Sequence, residues 1–176
     1  MKNKIAFLGD SLTEGGTWEV YFPAYQISNF GISGERSDEI LDRLDMVLFW
    51  EPAKIFVMMG VNDLGDGLSY QKVLENYQKL FSLLKEHAHI ELIVQSLLPT
   101  NETLFKSANF DGMRILELNY HLRDLCEKEK ITYVDLYTAF STYSYQMIKD
   151  YTIDGLHLNN AGYKMWENCL RAENLL

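Results

Sequence analysis

Four short segments carry residue types that could do chemistry, and each follows an apolar run. Ser11 stands just past the run at residues 5–8, in Gly9-Asp10-Ser11-Leu12-Thr13. A serine hydroxyl is a weak nucleophile until a base, itself held by an orienting group, takes its proton. The same residues have a plainer reading: Asp10 or Ser11 could cap a following helix, a position that both residue types favour. Asp154-Gly155-Leu156-His157 offers a base with an orienter. Gly155 permits a tight turn, so the carboxylate could hold one ring nitrogen and leave the other free. Of the four histidines, His157 alone falls in a loop of this kind beside an acid. His87 and His89 end a helical segment, where a cation suits the dipole, and His121 lies within another. Asn29-Phe30-Gly31-Ile32-Ser33-Gly34 sets two glycines three apart, which suits a turn with outward-pointing N–H donors for an anion. Gly60-Val61-Asn62-Asp63 puts a carboxamide past a buried run. Its NH₂ could meet an oxygen in a crevice, or the side chain could close an Asx-turn on its own backbone.

These residues need a frame. Apolar runs at 5–8, 27–31, 55–59, 90–97 and 131–136 have the length and composition of strands buried on both faces. Between them Ile40, Leu41, Leu44, Val47 and Leu48 step by three and four along one helix face. Val73, Leu74, Tyr77, Leu80, Phe81 and Leu84 mark a second helix, and Ile115, Leu118, Leu122 and Leu125 a third. A last helix follows Asn159, a candidate N-cap, and carries Tyr163, Trp166 and Leu170. Strand and helix in alternation predict a parallel sheet with helices on both sides. Ligands of such sheets lie beyond the carboxyl ends of the strands, where all four segments fall. Together they supply the nucleophile, base, orienter and oxyanion donors that acyl transfer requires.

In residues, order and spacing the four segments resemble the GDSL, or SGNH, hydrolases, a family named for Ser, Gly, Asn and His in four blocks. Gly9-Asp10-Ser11-Leu12 matches the first block letter for letter; Gly34 fits the second, Asn62 the third, and Asp154 with His157 the last. The resemblance runs from residue 5 to about residue 160. It implies an α/β protein with a three-layer α/β/α flavodoxin-like fold. The expected sheet has five parallel strands in the order 2-1-3-4-5, and one domain spans residues 1–176. It further implies a serine esterase working through an acyl-enzyme, with Ser11 as nucleophile, His157 as base and Asp154 as orienter. The backbone N–H groups of Ser11 and Gly34, with the Asn62 NH₂, would form the oxyanion hole. Asp10 and Asp63 would be supporting residues, Asp63 as a brace for the Asn62 loop. No metal and no cofactor are expected.

Composition narrows the partners. Sixteen Lys and Arg against 25 Asp and Glu give a net charge of −9. That disfavours sequence-independent nucleic-acid binding and docking on anionic membranes, and makes a strongly anionic substrate the less favoured one. Cys126 and Cys169 are too few for a disulfide scaffold or a thiolate zinc site. With no signal-peptide core and no apolar stretch of spanning length, a cytoplasmic protein without a stable membrane anchor is expected. A homo-oligomer is compatible with the sequence; Trp50 could be core or interface. Members of the family hydrolyse acetylated sugars, short acyl esters, lysophospholipids and thioesters. The absence of a long apolar lid favours a small-molecule ester with a short acyl chain, such as acetyl on a carbohydrate. Specificity is expected from residues 13–25, 64–70, 99–111 and 138–151, where Trp18, Tyr21, Phe22, Phe105, Phe110, Tyr143 and Tyr145 could stack on a sugar or close over the core. A rival reading takes residues 11–17 as a flavodoxin-like phosphate loop in a flavin- or phosphate-binding protein. Glu14 would then sit beside the phosphate, and the Asp154–His157 turn would have no role.

Overall fold

The five apolar runs form one parallel sheet, as their burial demands. In the computed structural model, which describes residues 3–106 and 110–176, the strands are β1 (Lys4–Gly9), β2 (Gln26–Gly31), β3 (Lys54–Met58), β4 (Glu91–Gln95) and β5 (Thr132–Val134). Their order is β2-β1-β3-β4-β5, so the chain reverses direction across the sheet between β2 and β3. β1 therefore has β2 and β3 as its two neighbours, with Gly9 paired to Gly31 on one side and to Met58 on the other. This register brings the loops after β1, β2 and β3 together at one edge.

The helices are α1 (Ser11–Glu14), α2 (Trp18–Tyr21), α3 (Ser37–Asp42), α4 (Leu44–Phe49), α5 (Val61–Gly65), α6 (Tyr70–Leu84), α7 (Gly112–Glu129), α8 (Tyr137–Phe140) and α9 (Asn160–Ala172). Helix α6 packs against α3 and α7, and α8 against α9. Phe7 and Phe56, register partners on neighbouring strands, stack at 4.9 Å between ring centres. Trp18 of α2 stacks on Phe7 at 4.1 Å and meets Trp166 of α9 edge-on at 5.0 Å. Each such pair adds roughly 0.5–1.5 kcal/mol to the burial of the rings. Trp18 and Phe22 thus belong to the core (both fully buried) and not to a substrate loop. Phe105 and Phe110 pack edge-to-face at 5.0 Å and are half-buried. Between them, residues 107–109 of the expected specificity segment lie outside the described residues.

Two of the departures from the reading of the sequence have a clear cause. The single helix expected across residues 40–48 is broken at Arg43, whose backbone leaves the helical region (φ −109°, ψ 14°). The Arg43 guanidinium reaches the sheet edge instead, donating to the Gly9 carbonyl at 3.0 Å and to Glu35 at 2.6 Å. Strand β4 stops at Gln95, short of Leu97, because the Asn119 carboxamide takes over both backbone groups of Leu97, at 2.8 and 2.9 Å. A side chain from α7 here does the work of a neighbouring strand. Among the described residues no helix is long and apolar enough to cross a membrane, and both cysteines are free.

Candidate active site

The turn after β1 is fixed from several sides. Asp10 is the N-cap of α1, accepting from the Leu12 N–H at 3.0 Å. The capping reading therefore holds for Asp10, and the Ser11 hydroxyl is left for other use. Asn29, one residue before the last pair of β2, donates its NH₂ to the carbonyls of Thr13, Glu14 and Gly16, each at 3.0 Å. Tyr163 of α9 donates to the Leu12 carbonyl at 2.9 Å. That bond ties the last helix to the first turn and brings the preceding loop beside Ser11.

That loop carries the base. Ser11 Oγ lies 3.2 Å from His157 Nε2, and His157 Nδ1 lies 2.7 Å from Asp154 Oδ2. Asp154 Oδ1 accepts the backbone N–H groups of Leu156 and His157 at 2.9 and 2.8 Å. Burial alone would raise the Asp154 carboxyl, but the imidazole and the two N–H groups outweigh it and hold its pKa below the usual carboxylate value. The carboxylate thus stays charged, accepts a hydrogen bond from the Nδ1–H, and leaves Nε2 facing the hydroxyl. Thr152 staples the turn, accepting from the Gly155 N–H at 2.8 Å and donating to the His157 carbonyl at 2.7 Å.

The loops after β2 and β3 bring donors to the same edge. Gly34 holds φ at +81°, a conformation costing roughly 1–2 kcal/mol for a residue with a Cβ. Among the described residues nothing accepts from the backbone N–H of Gly34 or of Ser11. Asn62 does not close a turn on itself: its NH₂ donates to the Glu35 carbonyl at 2.9 Å, which spends one hydrogen and leaves the second. Asp63 accepts from the Ser37 backbone N–H at 2.8 Å and from its hydroxyl at 2.6 Å. The loops bearing Gly34 and Asn62 are therefore tied to each other twice, and Asp63 is a brace. Asn76 adds a donor to the Ser37 hydroxyl at 2.7 Å.

The first turn makes a poor phosphate cradle, with the Leu12 N–H already taken by Asp10. The N–H groups of Glu14, Gly15 and Gly16 are spent on the carbonyls of Asp10, Ser11 and Thr13, and anion binding needs such groups free. Among the described residues no cluster of three or more His, Cys, Asp or Glu could hold a metal ion. His87 and His89 lie after α6, and His121 stacks on Tyr70 at 4.8 Å. None of the three belongs with Ser11.

Ser11 and His157 open onto a cleft of about 790 Å³, walled by the first turn, Tyr21, Ser33 and the start of α9. Two contributors escape a reading of the sequence. Glu14 lines this cleft and accepts from both the backbone N–H and the hydroxyl of Ser33, beside Gly34. Asn29 anchors the nucleophile turn from a neighbouring strand. The only signal for either is a polar residue next to a glycine turn.

The chain matches the GDSL-like lipase/acylhydrolase family over residues 7–165. A Streptococcus pneumonia protein described as a platelet activating factor superposes with a TM-score of 0.89 and 28% identity, covering 98% of this chain and 84% of that one. A GDSL-like lipase of Bacteroides thetaiotaomicron gives 0.84 and 26%, covering 99% and 89%. The N-acylneuraminate cytidylyltransferase of Streptococcus agalactiae serotype V is 31% identical over 150 residues, which are 85% of this chain and 33% of that one. The chain thus spans about a third of the length of the curated relatives it matches.

Proposed function

The chain belongs to the GDSL-like lipase/acylhydrolase family and is a hydrolase acting on esters, and from that premise we propose that it is a serine esterase using Ser11, His157 and Asp154. The observation that carries this reading is the unbroken chain of contacts from the Ser11 hydroxyl through the imidazole to Asp154, at the mouth of an open cleft. His157 Nε2 takes the Ser11 proton as Oγ attacks the ester carbonyl. The carbonyl electrons move to oxygen, where the N–H groups of Ser11 and Gly34 and the remaining Asn62 hydrogen stabilise them. Collapse of the tetrahedral species expels the alkoxide, which takes the proton from His157, and leaves the acyl group on Ser11. Water, giving a proton to His157, then attacks the acyl carbon; the bond to Ser11 Oγ breaks, the acid leaves, and His157 returns the proton to Oγ. Asp154 holds the ring in the required tautomer and stabilises the imidazolium throughout.

A short acyl group, acetyl foremost, suits a cleft that opens directly on Ser11 and His157. The alcohol side reads as a sugar. The curated relatives are named for N-acylneuraminate, an acylated sugar acid, and hydroxyl and amide side chains stand among the apolar groups of the cleft wall. The two free cysteines suit a reducing cytoplasm. The test is hydrolysis of p-nitrophenyl acetate. Wild-type protein is expected to turn it over, and Ser11→Ala to reduce kcat by at least ~10³-fold with unchanged circular dichroism. Undiminished turnover in the variant would remove Ser11 as the nucleophile.

A further inference from the structure

Next to the oxyanion donors lies a largely buried ion pair, Arg43 with Glu35, whose side chains are 12% and 18% exposed. Arg43 falls among the apolar steps of residues 40–48, and the helix divides there into α3 and α4. A pair so far withdrawn from water is weak evidence for stability, since apolar side chains of the same volume often serve as well. What it supplies is direction. The guanidinium donates through Nε to Glu35 at 2.6 Å and through Nη2 to the Gly9 carbonyl at 3.0 Å, and its rigid planar fork fixes the two partners relative to each other. Both partners border the site. Gly9 stands two residues before Ser11, and its carbonyl also accepts from the Ile32 N–H at 3.1 Å, where the loop after β2 leaves the sheet. Glu35 follows Gly34, and its own carbonyl accepts from the Asn62 NH₂ at 2.9 Å.

That carbonyl is the sole hydrogen-bond partner of the Asn62 side chain among the described residues. The direction of the second Asn62 hydrogen therefore follows from where Glu35 stands. The Glu35 backbone is held loosely by comparison: its N–H reaches the Ile32 carbonyl at a long 3.4 Å, against 2.6 Å for the bond from Arg43. The residues on either side have anchors of their own, Ser33 in Glu14 and Ser37 in Asp63. Resting on the esterase reading, we propose that Arg43 is a positioning residue of the oxyanion hole. Through Glu35 it aims the Asn62 NH₂, and through Gly9 it keeps that donor in register with the Ser11 turn. Misplacing a group at a reacting centre by about 1 Å can cost ~10²-fold in rate, so an anchor that never touches substrate can still set kcat. The clamps at Ser33 and Ser37 remain when Arg43 is changed, which keeps the two loops together and confines the effect to the aim of Asn62.

The experiment is a double-mutant cycle on p-nitrophenyl acetate, with folding of each variant checked by circular dichroism. Arg43→Gln should lower kcat by ~10- to 100-fold and leave KM within ~2-fold. Arg43→Lys should recover little of the loss, because one ammonium cannot bridge Glu35 and Gly9 as the fork does. Asn62→Ala alone should lower kcat by ~10²–10³, and adding Arg43→Gln to it should cost no more than ~2-fold further, since the donor being aimed is gone. Glu35→Ala, which leaves Arg43 on the Gly9 carbonyl, should also lower kcat without moving KM, and it takes the place of Arg43→Gln in the cycle if that variant does not fold. A wild-type kcat in Arg43→Gln or in Arg43→Lys overturns the assignment. So does a full, additive loss on top of Asn62→Ala, which would mean that Arg43 acts apart from that donor. In each of those outcomes the esterase reading stands if Ser11→Ala still abolishes turnover. A wild-type protein that does not cleave the ester overturns both.

Discussion

Asp10 shows how much one residue beside the nucleophile costs the fold. It is fully buried; one carboxyl oxygen caps α1 and the other has no hydrogen-bond partner among the described residues. Burial pushes its pKa from 3.8 up to about 7, with the Leu12 N–H and the nearby His157 opposing the rise. In the unfolded chain the carboxyl returns to its ordinary value. Between about pH 4 and pH 7 the native state therefore holds a proton that the unfolded state has lost, so native stability falls as pH rises through that window and levels off above it. Three units correspond to about 4 kcal/mol at most. Asp10→Asn removes the titration while keeping an oxygen for the Leu12 N–H. Its melting temperature relative to wild type is expected to climb by at least ~3 °C between pH 5 and pH 8. Thermal melts at the two pH values check this, and a pH-independent difference would mean that Asp10 does not titrate there. At this scale the sequence is readable where a residue's role depends on close neighbours. Asp154 and His157 are three apart, and Ser11 follows a buried run directly. Glu14 was not readable as a cleft residue, because its partner Ser33 lies nineteen positions away and a glutamate in a short surface turn looks merely solvated.

At the scale of elements, the site depends on how closely β1 and β2 end. The backbone of Glu14 passes over Gly31, and a Cβ at Gly31 would stand 2.1 Å from the Glu14 nitrogen and 2.6 Å from its Cα. Backbone on both sides cannot give way as a flexible side chain would. Gly31→Ala is expected to destabilise the protein by ~1–3 kcal/mol and to lower kcat for p-nitrophenyl acetate, because relief requires the nucleophile turn to shift off the β2 edge. Denaturant unfolding with parallel kinetics tests this; a variant with wild-type stability would show that the two turns can separate freely. Most element positions follow from apolar runs and helical steps, which burial forces onto the sequence, whereas the strand order comes only with the family resemblance. The weak signal of β2 has a plain cause: it is an edge strand with no fully buried residue. The break at Arg43 was hidden for a different reason. Ile40, Leu44 and Val47 keep one buried face on both sides of it, so the apolar pattern runs on while the guanidinium turns away to the sheet edge.

At the scale of the whole molecule, the charge of −9 gains meaning from where the cations are. Arg43 is paired with Glu35 at 2.6 Å, and Arg36 with Asp38 and Asp66 at 3.3 and 3.2 Å. The arginines of the Gly34 loop region are thus offset by carboxylates, while Glu14 faces the cleft and no Lys or Arg among the described residues lines it. Glu14 puts a negative charge at the mouth, and that charge is expected to oppose an anionic ester on approach. Salt screens that repulsion: the Debye length falls from about 30 Å at 0.01 M ionic strength to about 8 Å at 0.15 M. Two small esters isolate the effect, 4-acetoxybenzoate with a carboxylate and p-nitrophenyl acetate without one. Raising ionic strength across that range should increase kcat/KM for 4-acetoxybenzoate by ~2- to 5-fold and leave the neutral ester flat. Glu14→Gln should reduce the salt response, since it removes a carboxylate that lines the cleft. If 4-acetoxybenzoate instead loses activity with salt, an attractive cation outweighs Glu14, and the cleft suits a sugar acid better than a neutral sugar.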